Sequence, residues 1–507
     1  MNTKNFRLLV IALFILLGIV IHIGIGQAQE TDRIFTPVIP KTWDDQAMAS
    51  LELPLADPSA TPVHVSSDYY YRIPVRPIYK SYPVYTSGRE PAGYEEWLNE
   101  QEAETIFDSS KLKTEADWVE AGELVFDAPI FYNVLVRASD VKNPQWHEKT
   151  GARAAKDGTL PYFRYVIREK GKVELGTVSC AMCHTRVMPD GTVIKGAQGN
   201  FPLERAGEFI AKQTFTPERL RILERSFFGV PWIKPDPLTG LDHKSLDQIA
   251  EWHAVIPPGV IARHGTSPFY PPQVPDLIGI KDRKYLDHTG LQLHRSIVDM
   301  MRYAALNQGA DILASYGGFI PGARDFRTLP DPSTRSRYSD EQLYALSLYL
   351  YSLKPPVNPN KFEASASRGQ QVFKREGCAG CHTPPLYTNN KLTPVDGYKV
   401  PPEHLKKYDV LPISVGSDPA LALKTRRGTG YYKVPSLKGL WYRSPLEHNG
   451  SVMTLEDWFD PHRLSDDYLP TGFRGAGITT RAVKGHVFGL KLTAADRRDL
   501  IAFLRTL

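Results

Sequence analysis

All four cysteines of this 507-residue chain lie in two copies of one short pattern, Cys-x-x-Cys-His. The first copy is CAMCH at residues 180–184, and the second is CAGCH at residues 378–382. Two thiols at this spacing, followed directly by an imidazole, are the attachment signature of c-type haem. Redox-active cysteine pairs and zinc sites also use Cys-x-x-Cys. The histidine in both copies, and the lack of any further cysteine, favour two haems.

The pattern therefore predicts two covalently bound haem c groups, each with a histidine as the proximal iron ligand. His184 and His382 are the expected ligands on that side of each iron. No thiol remains for a disulfide, a structural zinc or a cysteine nucleophile. The residues expected to hold the two groups are Cys180, Cys183, His184, Cys378, Cys381 and His382.

The N-terminus has the features of an export signal. A short basic start at residues 2–7 is followed by an apolar run from Leu8 to about Gly26, with small residues after it. Because bacteria attach haem c outside the cytoplasmic membrane, we expect a periplasmic protein with residues 1–28 as its signal peptide. The apolar run exceeds the ~7–15 residues of a usual signal core and approaches the ~20 that cross a bilayer. A retained N-terminal membrane anchor is the alternative.

Charge and composition narrow the function further. The formal net charge is +5, which the four propionates of two haems would nearly cancel, so nothing argues for nucleic acid binding. The 41 prolines and 38 glycines predict a chain with long loops. Residues 29–110 are rich in tyrosine and proline without a regular period, and we expect an extended arm that packs its tyrosines on the surface of the main body.

An internal repeat divides the rest of the chain. Residues 274–290 align without gaps with residues 434–450, and the same valine, proline, leucine, glycine, arginine and histidine recur. Each copy follows one Cys-x-x-Cys-His motif and precedes a predicted helix. Ser339 and Thr493 are suited to cap these helices, whose leucines lie at helical spacing up to residues 353 and 507.

The repeat predicts a mainly α-helical fold of two tandem class I cytochrome c-like haem domains, with long loops and an irregular N-terminal extension. The expected boundaries are residues 111–355 and 361–507. The prolines at 355 and 356 end the first domain, because proline cannot continue a helix.

These domains resemble the bacterial di-haem cytochrome c peroxidase and MauG superfamily. The resemblance depends on the segment GTVSCAMCH at 176–184 and on VPSL at 434–437 followed by HNGS at 448–451. The long insertion between residue 129 and Cys180, together with the tyrosine-rich arm, is similar to the rubber oxygenase A branch.

The resemblance implies an oxidoreductase that activates H2O2 or O2 at the N-terminal haem. The C-terminal haem would be six-coordinate and would store or relay electrons. The implied partner is a small periplasmic electron donor in a peroxidase, or an apolar organic substrate in an oxygenase. A bridging calcium ion is also implied, although the sequence shows no acidic cluster for it. The alternative from another class is an electron-transfer cytochrome with both irons six-coordinate.

The resemblance also gives candidates for the distal ligand of the second haem. The bis-histidine haem of the oxygenase branch favours His486. His462 stands where the peroxidases of the superfamily carry a methionine, and Met453 is the third candidate. His448 and its repeat partner His288 are expected to hydrogen-bond a propionate or the loop backbone.

The distal pocket of the first haem is expected after Gly290. Peroxidases of the family carry a glutamate six residues after the loop glycine, and Glu456 stands there in the second repeat. Ser296 stands there in the first, so the expected carboxylate is missing, which favours a haem that binds O2 stably. Trp232 and Trp252 are candidates for the tryptophan that carries electrons between the haems. The remaining candidates for the catalytic polar function are His294, Arg295 and Asp299.

Overall fold

The computed structural model describes residues 35–308 and 312–507, so the predicted signal segment lies outside the described residues. The described chain is mainly helical with small sheets, as predicted. No helix in these two ranges is long and apolar enough to cross a membrane.

The helices are mostly short and separated by long loops. In chain order they are α1 Asp45–Ala49, α2 Ser67–Arg72, α3 Tyr94–Glu100, α4 Glu115–Asp127, α5 Ala138–Val141, α6 Pro144–Thr150, α7 Cys180–His184, α8 Leu203–Thr214, α9 Pro217–Phe228, α10 Leu246–Ala254, α11 Ile297–Leu306, α12 Asp340–Ser352, α13 Ala364–Arg375, α14 Pro402–Lys407, α15 Ala420–Leu423, α16 Leu455–Trp458 and α17 Ala494–Arg505.

The strands form one four-stranded sheet and several two-stranded ones, all antiparallel. The larger sheet has the order β2-β4-β5-β3, and the pairs are β1-β10, β6-β7, β8-β9 and β11-β12. The strands are β1 Pro62–His64, β2 Ser81–Tyr85, β3 Phe131–Tyr132, β4 Thr159–Glu169, β5 Lys172–Thr177, β6 Thr185–Val187, β7 Val193–Lys195, β8 Tyr285–Leu286, β9 Gln292–Leu293, β10 Ala314–Tyr316, β11 Leu392–Pro394 and β12 Tyr431–Lys433.

Two helix pairs frame the two Cys-x-x-Cys-His motifs. In the first pair, α4 packs against α12. Gly122 lies at the crossing, where an added Cβ would come within 2.0 Å of the carbonyl oxygen of Ala345. The predicted start of α12 is confirmed, since the hydroxyl of Ser339 accepts from the backbone N–H of Gln342.

The second pair repeats this arrangement, with α13 packed against α17. Gly369 occupies the crossing, and its Cβ would come within 1.8 Å of the carbonyl oxygen of Asp499. Thr493 caps α17 as predicted, by accepting from the N–H of Asp496. Both crossings therefore require a residue without a side chain, because backbone meets backbone there.

The N-terminal segment differs from the surface arm that we expected. Tyr69 and Tyr70 are buried in the main hydrophobic core, and Tyr70 stacks on Trp43 at 4.3 Å between ring centroids. Strand β2 joins the edge of the four-stranded sheet, where Pro83 is tolerated because an edge strand leaves some N–H positions unpaired. Local sequence periodicity did not predict the packing of this segment, because the residues that it contacts lie far along the chain.

Candidate haem sites

The first motif forms the short helix α7. Its N-cap, Ser179, accepts from the N–H of Met182 at 3.0 Å and so fixes the first turn. The ring nitrogen Nδ1 of His184 lies 3.1 Å from the carbonyl oxygen of Pro275 in the first repeat. A carbonyl only accepts, so this contact places the proton on Nδ1 and leaves Nε2 free to bind a metal ion. Burial, followed by the charge of Arg263, lowers the pKa of His184 to about 4.

The second motif begins with a turn of 3-10 helix, Cys378–Gly380. Nδ1 of His382 lies 3.1 Å from the carbonyl oxygen of Pro435 and 3.2 Å from that of Tyr387. Pro435 is the repeat equivalent of the proline that holds the first histidine. Burial lowers the pKa of His382, so the imidazole is neutral and able to bind a metal.

A cavity of about 280 Å³ lies beside the second motif. Apolar side chains of α13, α16 and α17 line it, together with both thiols and His382. Arg283 of the first repeat, and Lys433 and Arg443 beside and within the second, also lie in its wall and act on one another electrostatically. Apolar walls and a cluster of cations suit a porphyrin ring with two propionates, so the residues present fit a haem.

His486 lines this cavity together with His382. Burial, then the neighbouring His382, lower the pKa of His486 to about 4, and its Nδ1 is buried without a hydrogen-bond partner among the described residues. His462 is half-exposed and contacts Asp467 at 3.1 Å instead. Neither His462 nor Met453 is in the wall of the cavity. The assignment of His486 as an iron ligand remains a prediction, and the geometry favours it over the other two.

The charge of the Arg263 guanidinium acts on the first motif and contributes to the lowered pKa of His184. Arg263 donates to Asp287 at 2.8 Å, and the opposite oxygen of that carboxylate accepts from Arg427. The hydroxyl of Tyr303 donates to Asp287 at 3.0 Å. Although burial opposes ionisation, the two guanidinium groups hold the pKa of Asp287 well below its usual value. The result is a fixed cation near the first motif.

The polar atoms of the three residues predicted for this role are used in structural contacts. His294 contacts the carbonyl oxygen of Arg283 through Nδ1 and the hydroxyl of Tyr351 through Nε2. Arg295 and Asp299 form a two-bond ion pair at 2.7 and 3.0 Å. These contacts give no support to a catalytic role, which remains a prediction.

The inter-haem tryptophan is likewise not located by the structure. Trp232 stacks on Tyr316, and Trp252 packs edge-on against Phe269, so both lie in hydrophobic clusters away from the cavity wall. His288 contacts the carbonyl oxygen of Gln273 at 2.7 Å, in line with the expected bond to the loop backbone.

Sequence reasoning missed the cations that line these sites. Arg283 and Arg443 were detectable, because arginine recurs at this position of the repeat. Lys433 directly precedes the second repeat and Arg263 lies in an irregular loop, so neither carries a periodic signal. Only the tertiary structure brings them to the sites.

All four cysteines are free of disulfides. Within residues 35–308 and 312–507, no group of three or more His, Cys, Asp or Glu side chains is arranged to hold a metal ion. The calcium ion remains a prediction.

No family model and no curated protein matches the chain. Among solved structures, the chain is similar to the hydrazine synthase of Kuenenia stuttgartiensis pressurised with xenon. That match has 14% identity and a TM-score of 0.29, and covers 50% of this chain and 79% of the other. It is also similar to a MauG-like protein associated with microbial copper homeostasis, with 19% identity, a TM-score of 0.28, and coverage of 46% and 73%. The rubber oxygenase branch remains a prediction.

Proposed function

We propose that the protein is a periplasmic di-haem c-type oxidoreductase that activates H2O2 or O2 at the N-terminal site and transfers electrons through the C-terminal site. One observation carries the proposal: His382 shares its cavity with His486, whose Nδ1 has no hydrogen-bond partner among the described residues, whereas the charge of Arg263 acts on His184. The two motifs are alike, but their surroundings differ.

When bound, a c-type haem supplies a redox-active iron that accepts O2 or H2O2 if its sixth position is open and only transfers electrons if a side chain fills it. At the C-terminal site, His382 and His486 would be the two side-chain ligands. The carbonyl oxygen of Pro435 orients the ring of His382 by accepting from Nδ1. Both imidazoles are kept neutral by burial, which is the form that binds a metal.

At the N-terminal site, His184 would be the ligand on one side, oriented by the carbonyl oxygen of Pro275. Arg263 does not bind iron, because a guanidinium is always protonated. Held by Asp287 and Asn307, it would instead offer its remaining N–H donors and its positive charge to an oxygen-derived anion. In this proposal it would supply the electrostatic part of the function that we expected of a distal pocket.

Electrons would come from a small periplasmic donor, or an apolar organic substrate would be oxidised directly. The periplasmic location follows from the predicted signal and from the place of haem attachment. Product analysis with candidate substrates under O2 and under H2O2 separates the peroxidase from the oxygenase.

An electron-transfer cytochrome is the second candidate, and one observation favours it. Met300 and Met301 are buried in the same core that Cys180 packs against. A thioether is a common axial ligand of haem c. With a methionine at the first iron as well, both haems would be six-coordinate.

The optical spectrum of the oxidised protein, recorded before and after addition of H2O2, tests the two candidates. We expect two haems per chain in the pyridine haemochrome assay and a high-spin or oxygen-bound component that changes with peroxide. Replacing both cysteines of one motif with serine assigns each signal to its site. Two low-spin haems that do not respond to peroxide would reject the enzyme and support the cytochrome.

A further inference from the structure

The charged side chains in the wall of the cavity have an excess of positive charge. Arg283, Lys433 and Arg443 lie in its wall, together with the carboxylates of Asp276 and Glu447. Both carboxylates are engaged by groups other than Lys433. The cavity wall therefore contains cations that the protein itself does not fully neutralise.

The two arginines are fixed in the same way. Arg283 donates to the carbonyl oxygens of Asp276 and Ile278, the latter at 3.0 Å. Arg443 donates to the carbonyl oxygens of the equivalent residues, Ser436 at 2.7 Å and Lys438 at 3.2 Å. Nε of Arg443 is buried and has no hydrogen-bond partner among the described residues. Carbonyl oxygens hold these side chains in place without cancelling their charge.

The two carboxylates are bound by groups other than the three cations. Asp276 accepts from the hydroxyl of Tyr442 at 2.9 Å and from the N–H of Ile278 at 3.1 Å. Burial raises the pKa of Asp276 despite the nearby arginines, which weakens it as a counter-ion. Glu447 is paired with Nδ1 of His448.

Lys433 has no ion-pair partner among the described residues. Burial, followed by the charge of Arg283, lowers the pKa of Lys433 to about 7. The equivalent residue of the first repeat is Gln273, which is neutral and whose amide donates to Gln198 and Pro445. A lysine without an ion-pair partner is therefore present at this position in the second repeat only. Lys433 is only partly exposed, so an anion beside it would stabilise its charged form.

We propose that Lys433, Arg283 and Arg443 form a carboxylate-binding subsite that takes the propionates of the haem attached at Cys378 and Cys381. This inference rests on the proposed haem attachment and adds a role for the cavity's cations. A ferric haem has one more positive charge than a ferrous haem, so a nearby cation favours reduction. The subsite would therefore hold the second haem in place and raise its midpoint potential.

The test replaces Lys433 with glutamine, the residue found at the equivalent position of the first repeat. Lys438→Gln is the matched control, because Lys438 lies five residues further along the chain, is exposed, and loses the same charge. Lys433→Arg keeps the charge and should restore the wild-type behaviour. Haem content and the midpoint potential of each haem, from spectroelectrochemical titration of the full-length protein, are the two readouts.

In Lys433→Gln we expect the second haem to stay attached, because both thioethers remain, and its ratio of reduced to oxidised form at a fixed applied potential to fall roughly tenfold. Coulomb's law gives this effect for one charge about 12 Å from the iron at an effective dielectric constant near 20. Lys438→Gln should match the wild type. If Lys433→Gln does not fold, Lys433→Met must show the same change.

Equal haem content and equal potentials in Lys433→Gln, Lys438→Gln and the wild type would overturn the subsite. Failure of the proposed haem attachment gives a different result, since the wild type itself would then lack two haems and two redox transitions. Failure of the proposed reaction with H2O2 or O2 is read separately, from a wild-type spectrum that does not respond to peroxide. The three failures are therefore distinguishable.

Discussion

Gln273 and Lys433 occupy equivalent positions in the two repeats, and their backbone N–H groups make reciprocal hydrogen bonds. Gln273 donates to the carbonyl oxygen of His448 at 2.7 Å, and Lys433 donates to that of His288 at 3.0 Å. Each repeat thus contacts the other through the same positions, which is the pattern of an isologous interface. The same two loops supply the proline carbonyls that hold His184 and His382.

The glycines that end the same two loops are also closely packed. Gly290 and Gly450 are equivalent, with φ of +64° and +70°. An added Cβ on Gly290 would lie 2.4 Å from Leu392, and one on Gly450 would lie 2.2 Å from Val260. The side chains that close off each loop belong to the other repeat's half of the chain. The two sites are therefore built together.

The helix crossings predict a matched pair of destabilised variants. Gly122→Ala and Gly369→Ala should each lower the free energy of unfolding by at least ~1–3 kcal/mol, because the new methyl group overlaps a backbone carbonyl. Gly207→Ala on α8 is the control. It has no atom within 4 Å and should raise stability by ~0.5–1 kcal/mol. Denaturant unfolding followed by circular dichroism measures all three, and an unchanged Gly369→Ala would contradict the close crossing.

Loss of His486 should change the second haem alone. We expect His486→Ala to keep two covalently bound haems, because both thioethers remain, and to lose the low-spin spectrum of the second one. His462→Ala should keep the wild-type spectrum, because that side chain is half-exposed and bound to Asp467. Optical and electron paramagnetic resonance spectra distinguish these outcomes. If only His462→Ala changes the spectrum, the ligand assignment is wrong.

Variants of Arg263 and Arg295 distinguish the site proposed from the structure from the site predicted from the sequence. Arg263→Gln should slow the reaction with H2O2 by roughly 10²–10³-fold, as expected on removal of a fixed donor that stabilises a developing anion. Arg295→Gln should react at nearly the wild-type rate, because its guanidinium is bound to Asp299. Stopped-flow spectroscopy of each variant gives the rates. If Arg295→Gln reacts more slowly than Arg263→Gln, the prediction made from the sequence is supported instead.

His253 should make stability depend on pH. It lies between Glu204, at 2.5 Å, and Glu224, at 3.0 Å. Burial opposes protonation, but Glu224 and then Glu204 raise the pKa of His253 well above its usual value. The protonated ring is favoured in the folded state, so its stabilisation is complete below about pH 6.5. It is lost as pH rises through the raised pKa.

His253→Gln should cost about 3 kcal/mol at pH 6, because two buried carboxylates lose their cation. The difference from the wild type should shrink as pH rises. His462→Gln is the exposed control and should change little. Unfolding free energies between pH 6 and 9 test this, and a difference that grows with pH would contradict the charged pair.

The elements that sequence reasoning predicted well are those set by local patterns. The two motifs, the repeat, and the caps at Ser339 and Thr493 all depend on residues within a few positions of each other. The segment before residue 110 was the largest miss. Its backbone bonds run to distant partners, for example from Leu53 to Leu291, and a local period cannot reveal such pairing.

The sequence by itself predicted which side chains would attach two haems, and it located the duplicated loops that follow them. The tertiary structure alone decided that the surroundings of the two motifs differ. It places His486 in the cavity of His382, more than a hundred residues away, and brings the charge of Arg263 within range of His184. The physical reason is that covalent attachment needs only neighbours in the chain, whereas the sixth position and its electrostatics depend on groups that folding brings together.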